Sequence, residues 1–167
     1  MARTFHIVTF GCRTNQADSG ALREAFLSRG YIEQVKPRAD VEVVNSCTVT
    51  QRADQQVRQM VRRLRRSNPK AKLIITGCYA QRAPSALSNI EGVDAVVGNT
   101  HKSEVVSIAT KGSIDPLGFS EVTRVFRDSF DLSIRTDQGS VAKEGQRTRP
   151  FVKVQDGCDA HLSLIHI

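Results

Sequence analysis

Apolar residues early in the chain fall into short runs, separated by longer stretches in which they recur every three or four positions. The runs are FHIVTF (5–10), VEVVNS (41–46), KLIITG (72–77) and DAVVG (94–98), rich in Val, Ile, Thr or Phe and of strand length. The stretches between and after them predict helices over 16–29, 51–67, 84–90 and 101–110. Pro84 suits a first helical turn, Asn68-Pro69 closes the second helix, and Thr100 can cap the last one. Strand followed by helix, repeated in this way, predicts a parallel sheet with right-handed crossovers and helices on its faces. After Lys111-Gly112 the periodicity weakens, and 113–147 reads as a linker with one edge strand near 121–126. Alternation returns in PFVKVQ (150–155), which reads as the first strand of a second domain.

Charge sharpens the picture at one helix. The 167 residues carry a formal +7, and the positive side chains crowd between Arg52 and Lys72, where Asp54 is the one acidic residue. Val57, Val61 and Leu64 form the apolar stripe of that helix, which leaves Arg58, Arg62, Arg65 and Arg66 beside or opposite it. A merely solvated helix face mixes signs and gains i,i+4 pairs. This one has almost no acidic partners, so the arginines are candidate contacts for nucleic-acid phosphate, whose oxygens suit the planar guanidinium fork. With two Tyr and no Trp there is little sign of base stacking.

The cysteines add candidate chemistry. Cys12, Cys47 and Cys78 each close an apolar run and open a polar stretch. In a parallel sheet, ligands sit outside the carboxyl ends of the strands, and neighbouring strands are about 4.8 Å apart. Three thiols at three such ends can therefore share one metal site, and a helix start favours the thiolate form. The plain alternative is that Cys merely serves as a small apolar residue at a strand end. The sequence shows no charged-then-apolar leader and no run long enough for a membrane span. A reducing, cytoplasmic setting is favoured, where scattered cysteines point to metal or redox chemistry rather than disulfides. There is no CxxC pair of the zinc-ribbon kind, which leaves iron and sulfur as the better match for a thiolate-rich site.

GCRTNQADS (11–19), NSCTVTQRAD (45–54) and TGCYAQ (76–81) together resemble the amino-terminal domain of the radical-SAM methylthiotransferases. The similarity runs over 5–110 and resumes at RTRPFVKVQDGCDA (147–160). Within the family, CTVT, Arg-Ala-Asp and the arginine-rich helix are most similar to the branch acting on threonylcarbamoyladenosine beside the tRNA anticodon. The branches acting on isopentenyladenosine in tRNA or on an aspartate of a ribosomal protein stay open. The resemblance implies a flavodoxin-like α/β fold, a parallel sheet of four or five strands with flanking helices. It implies that Cys12, Cys47 and Cys78 hold a 4Fe-4S cluster with one iron left open for the sulfur to be delivered. Asn15 and Asn45, each near a cluster cysteine, are candidates to hydrogen-bond cluster sulfurs and tune them. Implied partners are tRNA, a reductant protein and carboxy-terminal domains missing from this chain, with no membrane.

Cys158 matches the first ligand of the family's second cluster, which follows CxxxCxxC and acts on S-adenosylmethionine. The next two ligands are then due at 162 and 165, where the sequence has Leu162 and Ile165. Neither side chain binds iron. The expected organisation is therefore a cluster-binding domain over 1–112, a linker over 113–147, and the start of a truncated radical-SAM domain over 148–167 in which 161–167 are not native. The second cluster and S-adenosylmethionine belong to the full-length enzyme, and the chain alone is expected to be inactive. A second reading is a flavodoxin-like metal-binding or redox-sensing module without catalysis. A flavin or nucleotide version would want a phosphate loop after the first strand, and GCRTNQADSG has neither GxGxxG nor a P-loop lysine.

Overall fold

A computed structural model describes residues 3–36, 38–48, 50–110 and 124–126. The expected domain start at 148–167, with Cys158, Leu162 and Ile165, lies outside the described residues, as does all of the 113–147 linker except 124–126.

The elements are β1 (Thr4–Thr9), α1 (Arg13–Leu27), β2 (Ile32–Glu33), β3 (Val41–Ser46), α2 (Gln51–Ser67) and β4 (Lys72–Gly77). They continue as α3 (Cys78–Arg82), α4 (Pro84–Ser88), β5 (Ala95–Val97), a 3-10 helix (Asn99–Glu104), α5 (Val105–Thr110) and β6 (Arg124–Phe126). The sheet order is β2-β1-β3-β4-β5-β6, and every pairing is parallel. This is the 2-1-3-4-5 order of flavodoxin-like sheets with β6 added at one edge. The α/β architecture expected from the sequence is present. The edge strand expected near 121–126 is β6, and the two-residue β2 is the strand that the apolar pattern does not announce.

Alternation along the strands separates two cores. Phe5, Val41, Val43, Ile74, Ala95 and Val97 face α1 and α5, where Leu22, Phe26, Val105 and Val106 close the layer. Val44, Leu73, Ile75 and Val96 face the other side and pack on Val57, Val61 and Leu64 of α2. Val41 to Ser46 are buried throughout, as a strand covered by helices on both faces must be. The α2 stripe is the one that the sequence predicts. Thr50 caps this helix, its side chain accepting from the Ala53 amide. Thr100 lies inside the 3-10 helix that begins at Asn99, where Gly98 takes the N-cap position.

Candidate metal centre

The chain reverses its winding direction between β1 and β3, because β2 lies outside β1 while β4 and β5 lie beyond β3. Such a switch point opens a crevice at the carboxyl ends of the strands. Cys12 follows β1, Cys47 follows β3 and Cys78 follows β4, so two thiols flank the crevice and the third stands one strand away. All three are free, with Cys12 exposed, Cys78 half-buried and Cys47 buried.

Two glycines allow this convergence. Gly11 has φ 104° and Gly77 has φ 98°, a region that disfavours any side chain. A Cβ on Gly11 would stand 2.7 Å from the Cys47 sulfur. One on Gly77 would stand 2.3 Å from the Ser46 carbonyl oxygen. Each glycine lets the chain turn sharply between a strand and the cysteine that follows, while its bare backbone lies against β3 or the residue after it.

Asn15 ties the crevice walls together. Its amide donates to the Phe10 carbonyl at 2.8 Å and to the Ser46 carbonyl at 3.0 Å, the backbone on either side of the switch point. Its Oδ1 lies 4.0 Å from the Cys78 thiol, which donates toward it. Asn45 donates to the Asn15 carbonyl at 2.8 Å and to the Ser19 hydroxyl at 2.9 Å. Both amide groups thus spend their N–H groups on bracing the loops. In this arrangement they hold the residues that carry the cysteines.

Electrostatics differ among the thiols. Burial pushes Cys12 up, yet the first-turn amides at Asn15 and Thr14 and the Thr14 hydroxyl outweigh it and leave the thiol below its ordinary value. Burial pushes Cys78 up; the Lys102 ammonium and the Asn99 side chain pull it back only in part, while the nearby Cys47 and Cys12 sulfurs push it further. That mutual influence places the three sulfurs in one electrostatic neighbourhood.

Among the described residues no group of three or more His, Cys, Asp or Glu side chains is placed to hold a metal ion. A mononuclear thiolate site needs its sulfurs within about 2.3 Å of one point. A cluster binds each thiolate through a different iron and so accepts sulfurs set farther apart. The donor chemistry and the strand-end placement of Cys12, Cys47 and Cys78 fit such a group.

The sequence profile described as "Uncharacterized protein family UPF0004" matches residues 4–98. The chain belongs to this family. UPF0004 membership covers β1 through β5, the whole of the crevice with its three cysteines. Similar proteins include the threonylcarbamoyladenosine tRNA methylthiotransferase MtaB of Aquifex aeolicus, 41% identical over 90% of this chain and 36% of the relative. The MtaB of Bacillus subtilis is 32% identical over 93% of this chain and 33% of the relative. A ribosomal protein uS12 methylthiotransferase RimO of Leptospira biflexa is 30% identical over 94% of this chain and 35% of the relative. The chain spans about a third of the length of these relatives.

The arginines of α2 divide. Arg58, Arg62 and Arg66 are exposed, and their i,i+4 spacing sets them in one row. Arg58 also donates to the Tyr79 hydroxyl at 2.8 Å. Arg65 differs: its side chain is only 20% exposed and is engaged within the protein. It donates to the carbonyls of Gly92, Pro69 and Ala71 and to Asp94 Oδ2 at 2.6 Å. Its guanidinium clasps the ends of the α2–β4 and α4–β5 connections. Sequence reasoning passed over Gly11, Gly77, Asp18 and Lys102. The glycines precede two of the cysteines, which was the available signal; the Asp18 to Lys102 ion pair spans the chain and leaves none.

Proposed function

We propose that this chain is the cluster-holding, amino-terminal part of a methylthiotransferase that acts on a modified adenosine next to the tRNA anticodon, with threonylcarbamoyladenosine favoured. The observation that carries the reading is the gathering of three free thiols at the carboxyl ends of three adjacent parallel strands, two of them flanking the switch point. The similarity to proteins named as methylthiotransferases supports it.

Cys12, Cys47 and Cys78 would hold a 4Fe-4S cluster. When bound, that group supplies an iron with an open position for the sulfur to be delivered. The chain's own residues prepare the place. Cys12 enters as thiolate readily, because the first turn of α1 aims its amides at the sulfur. Asn15 fixes the Phe10 and Ser46 carbonyls and so keeps the two crevice walls in register. Exposure of Cys12 beside buried Cys47 gives the site one open side and one closed side. Arg58, Arg62 and Arg66 would meet tRNA phosphates, adding salt-dependent affinity without base specificity.

In this reading the complete activity needs more than these residues: a second cluster, S-adenosylmethionine and a reductant protein, with Cys158 as one ligand of that second cluster. A cytoplasmic setting goes with free thiols, and among the described residues no helix is long and apolar enough to cross a membrane.

The test is anaerobic iron and sulfide quantification with electron paramagnetic resonance on the full chain. Variants carrying Ala at Cys12, Cys47 or Cys78 are expected to lose the 4Fe-4S signal, and Cys158→Ala to keep it. A chain that is folded by circular dichroism but takes up no stoichiometric iron and sulfide would overturn the proposal in favour of a redox-sensing module.

A further inference from the structure

Cys78 opens α3 and Arg82 closes it. A single helical turn therefore carries a thiol at its start and a guanidinium at its end, both at the carboxyl edge of β4. The guanidinium turns toward the loop after β3: its Nη1 donates to the Thr48 hydroxyl at 2.9 Å, and Thr48 directly follows Cys47. Arg82 thus stands beside the loops of two cysteines, on their α2 side. Its Nη2 lies 3.6 Å from Asp54 Oδ2 in the first turn of α2, too far for a good hydrogen bond.

A guanidinium offers a planar fork of N–H donors and accepts none. Among the described residues Arg82 makes a hydrogen bond to Thr48 alone. Its side chain is 41% exposed while that of Asp54 is 13% exposed, so the acid lies on the inner side and the fork keeps an open edge. Asp54 does not neutralise this corner. Arg52 stands in the same turn of α2, and Arg58, a turn further on, donates to the hydroxyl of Tyr79, the residue after Cys78. A positive, half-exposed fork held beside the cysteine loops suits a pair of carboxylate or phosphate oxygens brought to the site. Threonylcarbamoyladenosine carries a free carboxylate on its threonyl group; plain adenosine and isopentenyladenosine carry none.

We propose that Arg82 is a specificity-determining residue that binds the threonyl carboxylate of the substrate base, with Thr48 as the positioning residue that aims it. The inference rests on the threonylcarbamoyladenosine reading above and deepens it, by giving the choice among modified adenosines to one side chain of this domain. Arg62 and Arg66 lie further along α2 from the carboxyl edge and serve phosphates whatever the base.

The test uses the full chain, with iron and sulfide counted on the same preparation, and anticodon stem-loop RNAs that differ in one nucleoside. These carry plain adenosine, isopentenyladenosine, threonylcarbamoyladenosine, or the methyl ester of the last, which keeps the shape and loses the charge. Affinity is read by fluorescence anisotropy. Wild type is expected to bind the acid about tenfold tighter than the ester or either other RNA, the scale of a charge-assisted contact at a half-exposed arginine. Arg82→Gln erases that preference and affects the plain stem-loop far less. Arg82→Lys keeps the charge without the fork and retains part of the preference. Thr48→Val leaves the arginine unaimed and lowers the preference, whereas Arg66→Ala weakens all four RNAs alike. A wild type that binds acid and ester equally overturns the inference. So does an Arg82→Gln chain that weakens all four alike, which would make Arg82 a phosphate contact. If Arg82→Gln does not fold by circular dichroism, Thr48→Val decides, since an unchanged preference there overturns the inference too. A wild type that takes up no iron and sulfide fails at the earlier reading and takes this one with it; a loaded wild type that ignores the carboxylate isolates the failure here.

Discussion

Arg65→Ala separates a structural arginine from a ligand-facing one. The side chain donates to the Gly92, Pro69 and Ala71 carbonyls and to Asp94. Net hydrogen-bond contributions of about 0.5–1.5 kcal/mol each would sum to about 4 kcal/mol for four partners. Several effects reduce this. Asp94 is 36% exposed, so its ion-pair share is screened to below about 1 kcal/mol. Asp94 Oδ2 also accepts the Leu73 amide at 2.7 Å and stays anchored after truncation. Water can reach the Pro69 carbonyl, and Ala gains slightly over Arg in helix propensity. About 3 kcal/mol remains, a large share of the roughly 5–15 kcal/mol that holds a domain together. At about 4 °C per kcal/mol for a domain near 100 residues, the melting temperature should fall by about 12 °C. Arg65→Lys should recover little, because one ammonium cannot replace a fork that reaches both connections. Arg62→Ala, on the exposed row, should melt close to wild type. The assay is thermal melting by circular dichroism, beside tRNA binding at several salt concentrations. Arg62→Ala and Arg66→Ala should each reduce the salt slope by about one phosphate contact. An Arg65→Ala chain that melts within about 2 °C of wild type while losing tRNA affinity as Arg62→Ala does would refute the reasoning.

Gly77→Ala should destabilise the fold by about 3 kcal/mol, combining a left-handed backbone with a Cβ driven into the Ser46 carbonyl; chemical denaturation reads it, and a change below about 1 kcal/mol would contradict the close approach of β4 to β3. In the metal-free chain, alkylation by iodoacetamide followed across pH should give Cys12 a midpoint below the ordinary cysteine value and Cys78 one above it. A lowered value means more thiolate, so Cys12 should react faster than Cys78 near neutral pH, and the reverse order would refute the assignment. The same shifts fix the sign of the stability change. The folded state resists ionising Cys78, so its contribution is fully present below the unfolded thiol's pKa and lost as pH rises beyond it; Cys12 contributes in the opposite sense over the window just below that value.

The strands and the cysteine positions were legible because both are local. FHIVTF, VEVVNS and KLIITG alternate or run apolar over a strand's length, and each cysteine follows within two residues. Parallel topology then brings those ends together without further information. The two-residue β2 gave no sign, since Ile32 and Glu33 are exposed and only their edge pairing with Thr4 and Phe5 makes them a strand. Helix α3 was hidden for a related reason: CYAQR is too short to show a period, and its preceding glycine has no side chain with which to cap. The partners of Arg65 were not legible because the helix pattern sets it at the rim of the apolar stripe, while what holds it is a turn at Gly92 and Asp94, remote in sequence.

The contacts that local pattern does not carry share a physical cause that bears on the site itself. A cysteine's place at a strand end follows from the chain just before it. What keeps three such cysteines in one crevice is the holding of one loop by another, and here that is done by Asn15 on the Phe10 and Ser46 carbonyls, Asn45 on the Asn15 carbonyl, and Lys102 on Asp18. These side chains spend their polar groups on neighbours separated from them by 5, 31, 30 and 84 positions. Buried polar groups of this kind carry a penalty if left unmet, so each one ties its loop to a particular partner. Loss of Asn15 should therefore disturb all three thiols at once, because its one amide holds the Phe10 and Ser46 carbonyls beside Cys12 and Cys47 and its oxygen faces the Cys78 thiol.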